Sequence, residues 1–148
     1  MEEFEKRPKD TLVFTGDFNV SLGVRDEGDH NGVLGPCGIR HVSEMGRELY
    51  ATLAKHNLCS ATTFFDKGSH ATWMHPASRK LYQLDHVFVK QRQMKHFTNV
   101  GKAGLGVHSD HRPLKIKEEL KTAIELRNKE QTRRRFRSYS KGRTVGQL

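Results

Sequence analysis

Three times along this chain a short apolar run meets a cluster of carboxylate, amide or imidazole groups. Thr11-Leu12-Val13-Phe14-Thr15 ends on Gly16-Asp17-Phe18-Asn19, Asp85-His86 opens onto Val87-Phe88-Val89, and Ser109-Asp110-His111 leads into Leu114-Lys115-Ile116. Runs of β-branched and aromatic residues this short read as strands. Strand ends are where a rigid scaffold presents reactive side chains. A chain built this way is committed to sheet, and its polar clusters converge only if the strands pair. One segment between the runs has helical spacing instead: Ser43 can cap a helix whose Met45, Leu49, Leu53 and the stem of His56 share one face, with Asn57 to end it. The predicted class is therefore α/β (α+β), with a mostly antiparallel or mixed sheet.

The remaining elements follow from local pattern. Leu58 to Phe65 and Ala71 to Met74 read as strands around the Asp66-Lys67-Gly68-Ser69 turn. Leu81 to Lys90 reads as one strand, with Leu84, His86 and Phe88 on one face and Asp85, Val87 and Val89 on the other. Ser21 to Arg40, rich in glycine, reads as a long surface loop.

At 148 residues and 34% hydrophobic, the chain has room for one modest domain. We expect a polar lead over 1–10, a folded part over 11–117 and a basic helical to disordered tail over 118–148, its helix running from Glu118 to Lys129. The basic charge sits mainly toward that end of the chain: Lys115 to Arg143 holds eleven Lys and Arg against four Glu, +7 of the net +9. Cys37 and Cys59 have neither a second pair nor ligand-like histidines nearby, so they read as free thiols rather than a zinc site or a disulfide framework. The acidic start, Met1-Glu2-Glu3-Phe4-Glu5, lacks the form of a signal peptide, and no run reaches membrane-spanning length. These features predict no membrane partner and an intracellular protein, nuclear or cytoplasmic, with the nucleus favoured.

The three clusters suit phosphodiester hydrolysis, which needs an oriented water, a base for its proton and donors or cations to neutralise the phosphorane oxygens. Each alone is ordinary, since an Asp at a strand end is usually a turn or cap residue. Together, Thr-Gly-Asp-Phe-Asn, Leu-Asp-His-Val-Phe-Val and Ser-Asp-His-Arg-Pro resemble the three C-terminal signatures of the endonuclease/exonuclease/phosphatase superfamily. The stretch over 11–117, including Ala71-Thr72-Trp73, further resembles the nuclease domain of LINE-type retrotransposons and craniofacial development protein 2-like sequences.

That resemblance implies the C-terminal half of a four-layer α/β sandwich and a role for each matched residue. Asp17 would activate or orient the attacking water, and Asn19 would contact the scissile phosphate and a metal-bound water. Asp85 would orient the imidazole of His111, which would touch the phosphate in its protonated form. Asp17, Asn19 and Asp110 would serve the metal, expected to be Mg²⁺ or Mn²⁺. Ser109 would support its loop; Trp73 reads first as a core aromatic and otherwise as a substrate contact by the groove, and Arg112 as a phosphate contact or a solvated charge. His86 stands where the related domains usually carry an aromatic such as Tyr. The implied partner is DNA or RNA.

The superfamily's first half supplies a metal-binding glutamate, and Glu2, Glu3 and Glu5 do not match its context. The expectation is a partial endonuclease, inactive alone, that needs a missing N-terminal half in cis or in trans, with one apolar sheet face uncovered. Two other readings stay open: a phosphatase acting on phosphoinositides or other small phosphodiesters, and a non-catalytic chromatin-associated protein binding through Arg133-Arg134-Arg135-Phe136-Arg137.

Overall fold

The computed structural model describes residues 10–104, 109–119 and 131–132, and the chain divides after Glu118. Nearly all of the expected lead, tail helix and basic run lies outside the described residues. The elements are β1 (Val13–Asp17), α1 (Glu44–Lys55), β2 (Leu58–Ser60), β3 (Trp73–Met74), β4 (Leu81–Tyr82), β5 (Asp85–Lys90), β6 (Phe97–Lys102) and β7 (Leu114–Glu118). They form a three-stranded sheet in the order β1-β5-β2 and two ribbons, β3-β4 and β6-β7. Every strand pair among the described residues is antiparallel.

β5 is the centre of the core. Its alternation puts Phe88 among Leu22, Val33, Leu34, Leu53 and Leu58 on one side. Val87 and Val89 meet Cys59, Ala61, Phe97 and Val100 on the other. The two faces read from the sequence are both apolar and both covered, one by α1 and the 20–34 loop, the other by β6 and its neighbours. The expected bare sheet face is thus absent from β5. Openness sits on β1, an edge strand whose last four residues are exposed.

α1 begins as expected, with the Ser43 hydroxyl accepting from the Gly46 N–H at 3.1 Å. Asn57, at φ 53°, follows its end in the left-handed conformation that closes many helices. The buried stripe is turned from the expected one. Met45 is 59% exposed, and Gly46 and Leu53 are the buried positions, with Leu49, Tyr50 and Ala54 packed beside them. The cause is a close backbone approach: a Cβ on Gly46 would lie 2.1 Å from the Ser21 carbonyl oxygen. The first turn therefore docks through its glycine, and Met45 points to solvent.

Three expected strands are shorter than read, the run from Ala71 to Met74 keeping only Trp73–Met74. After β2 the chain turns into a 3₁₀ helix over Ala61–Phe64. The Thr63 hydroxyl donates to the Ser60 carbonyl at 2.7 Å and accepts from the Gly35 N–H at 2.7 Å, so local side-chain bonds replace the ladder. The run from Leu81 to Lys90 is split at Gln83-Leu84, because β4 pairs with β3 whereas β5 pairs with β1 and β2. No helix among the described residues is long and apolar enough to cross a membrane.

Candidate active site

Antiparallel register assembles the site. Asp17 at the end of β1 lies opposite Asp85 at the start of β5, which places two carboxylates from distant segments side by side. His111 joins them through an isolated bridge to Trp73 of β3. Ligand atoms of Asp17, Asp85 and His111 all lie within 4.8 Å of one another, the group among the described residues with the geometry to hold a cation.

Within this trio the imidazole is oriented by hydrogen bonding. His111 Nδ1 donates to Asp85 Oδ2 at 2.9 Å, which turns Nε2 toward Asp17 Oδ2, 3.9 Å away. That gap is too long for a hydrogen bond. Asp17 holds its own geometry by accepting from the Asn19 N–H through Oδ1 at 2.8 Å, with Asn19 at φ 53°, a conformation Asn tolerates better than most residues. Asp17 thus keeps Oδ2 toward the imidazole and solvent. A cavity of about 260 Å³ opens beside the trio, lined among others by Gly16, Asp85, Ser109, His111 and Arg112.

The hydrogen bond to Asp85 raises the His111 pKa above its ordinary value, outweighing the opposing effect of burial; the charges of Asp85, Asp17 and Asp110 add to the rise. A histidine whose folded pKa is raised stabilises the fold fully below its unfolded value, near 6.5, and that contribution is lost as pH rises through the folded value. Asp85→Asn is therefore expected to bring His111 back toward its ordinary pKa, measured by NMR titration of the ring. An unmoved titration would show that Asp85 is not its partner.

The third cluster arrives differently from the expectation in one respect. Ser109 Oγ accepts from the His111 N–H at 3.1 Å and so shapes the loop. The Asp110 carboxylate turns to the Trp73 indole, whose Nε1 donates to Oδ2 at 3.2 Å, and it stands outside the trio. Trp73 is half-buried and packs near Tyr82, His75 and His111, with ring centroids 5.7, 5.6 and 6.4 Å away. Arg112 is exposed, and its backbone N–H donates to the Thr72 carbonyl at 2.7 Å.

His86 packs where an aromatic was expected. It is buried, stacks on Phe88 at 5.6 Å with 13° between planes, and its Nε2 lies 2.9 Å from the Val20 carbonyl. Burial lowers its pKa, so the neutral ring is the favoured form and Nε2 carries the proton given to Val20. This bond ties the loop bearing Asn19 to β5. Thr72, which joins three parts of the site, was marked in the sequence only as a member of the Ala71-Thr72-Trp73 segment, with no role of its own.

The donor set fits a divalent cation in part. Asp17 offers an accessible hard oxygen, but an imidazole whose pKa is raised is a poorer ligand and a better anion contact. Two carboxylates carry the cation-binding capacity, and Asp110 would have to leave Trp73 to join them.

No protein-family model matches this sequence, and no curated protein matches it. Among solved structures, the chain is similar to the 3′ phosphatase NExo from Neisseria bound to a product DNA hairpin, at TM-score 0.54 and 20% identity over 80% of this chain and 49% of that one. It is equally similar to the 3′-5′ exonuclease NExo from Neisseria meningitidis, with the same TM-score of 0.54, 20% identity and 80% and 49% coverage. The chain spans about half the length of these solved structures. At this identity the likeness is one of fold: the chain has a nuclease-like α/β fold, built on the β1-β5-β2 sheet that brings its acidic strand ends together.

Proposed function

We propose that this chain is part of a metal-dependent phosphodiesterase acting on DNA, of retrotransposon-nuclease type, and that it carries the water-orienting and phosphate-binding side of the site. The observation that supports this reading best is the Asp85-His111-Asp17 arrangement, with an oriented imidazole facing a carboxylate across 3.9 Å. On the open side of that pair a phosphate oxygen can take a hydrogen bond from protonated His111 Nε2. Asp17 can then accept the proton of a water attacking phosphorus in line with the leaving oxygen, whose bond to phosphorus breaks as the new one forms. Asn19, exposed two residues after Asp17, would supply an amide donor to that water.

Mg²⁺ or Mn²⁺ is the cofactor such oxygen donors suit; when bound, it supplies charge neutralisation at the phosphorane oxygens. Asp17, Asn19 and Asp110 would hold it. DNA as substrate draws support from the product hairpin bound to one of the similar structures. A complementary half of the fold is proposed as partner, since the chain matches about half of those structures. β1 would meet it, because among the described residues no strand covers its outer edge, and open edges invite pairing.

The test is nicking of supercoiled plasmid. This chain alone is expected to nick negligibly, and the chain joined to a complementary half should nick with Mg²⁺ or Mn²⁺ and stop with EDTA. Nicking by the joined protein that survives EDTA would refute metal dependence.

A further inference from the structure

We infer that Thr72 is a positioning residue for the Asp85-His111 pair, holding the backbone N–H of Asp85 through its side chain and the backbone beside His111 through its own carbonyl. Its functional meaning rests on the phosphodiesterase reading, but its geometry does not. Thr72 is 1% exposed and immediately precedes β3. Its hydroxyl oxygen accepts from two successive backbone N–H groups, Leu84 at 3.0 Å and Asp85 at 3.1 Å. Its own N–H donates to the Tyr82 carbonyl at 2.9 Å, and its carbonyl accepts from the Arg112 N–H at 2.7 Å.

These bonds meet where the chain changes partners. β4 ends its pairing with β3 at Tyr82, and β5 begins its pairing with β1 at Asp85. At that crossing the Leu84 carbonyl accepts from Phe18 at 3.0 Å, while the N–H groups of Leu84 and Asp85 point the other way. Buried amides must find acceptors, and one threonine oxygen serves both. The N–H that fixes the Asp85 backbone thereby sets where its carboxylate reaches.

The other half of the pair is referenced to the same residue. The Arg112 bond to the Thr72 carbonyl and the Trp73-His111 bridge pin the backbone on either side of the imidazole. The 2.9 Å contact between His111 and Asp85 therefore spans two segments that share Thr72 as their common support. Shared support keeps the spacing constant when either segment fluctuates. Valine has the shape of threonine without the acceptor, and serine keeps the acceptor without the methyl.

The experiment compares Thr72→Val and Thr72→Ser in the full chain. The readout is the His111 ring nitrogen shifts in long-range ¹H–¹⁵N spectra, with circular dichroism to verify folding. Thr72→Val should lose the shift pattern of a hydrogen-bonded Nδ1–H, and Thr72→Ser should keep it. In the chain joined to its complementary half, Thr72→Val should lower kcat by about tenfold to a hundredfold, as expected for small misplacement of reacting groups, with KM nearly unchanged and Thr72→Ser restoring the rate.

A folded Thr72→Val that retains the His111 pattern overturns the inference. So does rapid amide exchange at Leu84 and Asp85 in the unmutated chain, a measurement that holds even where the valine variant does not fold. If the ring nitrogens respond to Thr72 while the joined protein cleaves no phosphodiester, the function fails and the positioning role stands. If the joined protein cleaves DNA while the ring nitrogens ignore Thr72, the reverse is true.

Discussion

Under the proposed function, replacing His111 with alanine in the chain joined to its complementary half is expected to lower kcat for plasmid nicking by about a hundredfold to a thousandfold, the usual loss when a preorganised donor to a developing anion is removed. The expectation follows from the geometry of the ring. Asp85 holds Nδ1 at 2.9 Å and aims Nε2 into the gap before Asp17, so the donor is oriented before substrate arrives. In the proposed reaction its interaction would strengthen as charge grows on the phosphorane oxygens, which predicts a fall in kcat rather than a rise in KM. Asp17→Ala should cost about a hundredfold or more through loss of the proposed base. Single-turnover nicking measures both, and a His111→Ala enzyme that nicks at the unmutated rate would show that the imidazole is not at the phosphate.

The second large effect is on stability. Phe88 is 2% exposed and lies at the centre of β5, with Phe18 at 4.6 Å and His86 at 5.6 Å between ring centroids. Phe88→Ala is expected to lower the free energy of unfolding by about 3–5 kcal/mol, the lost transfer energy plus the cavity left behind. Against a typical total of about 5–15 kcal/mol that is a major fraction. Urea unfolding should show a lower midpoint at an unchanged slope. The contrast is Met45→Ala on the solvent side of α1, expected within about 0.5 kcal/mol of the unmutated chain. A comparably small loss at Phe88 would mean that the ring is not packed in the core.

Local chemistry was readable along the chain. Ser43 announces α1 because a capping hydroxyl needs only the next turn. The alternation of β5 announces its two faces because side-chain direction in a strand has period two, and Phe88 falls on one side with Val87 and Val89 on the other. Asp17, Asn19, Asp85 and His111 stand out because each sits at the end of an apolar run, whatever that run pairs with.

Tertiary pairing decided the rest. Met45 faces water because Gly46 meets Ser21, a contact between segments far apart in sequence. Leu58 to Phe65 stops being a strand where Thr63 bonds Gly35 and Ser60. Asp110 turns to the Trp73 indole rather than to the trio, and Thr72 supports the site from a place in the chain that carries no mark of it. The three strand-end clusters were visible in order and in residue type, but their meeting depends on the register that sets Asp17 against Asp85. Register is a property of paired strands: a slip of one residue would send these side chains to opposite faces, and only the packed sheet selects the pairing that brings them together.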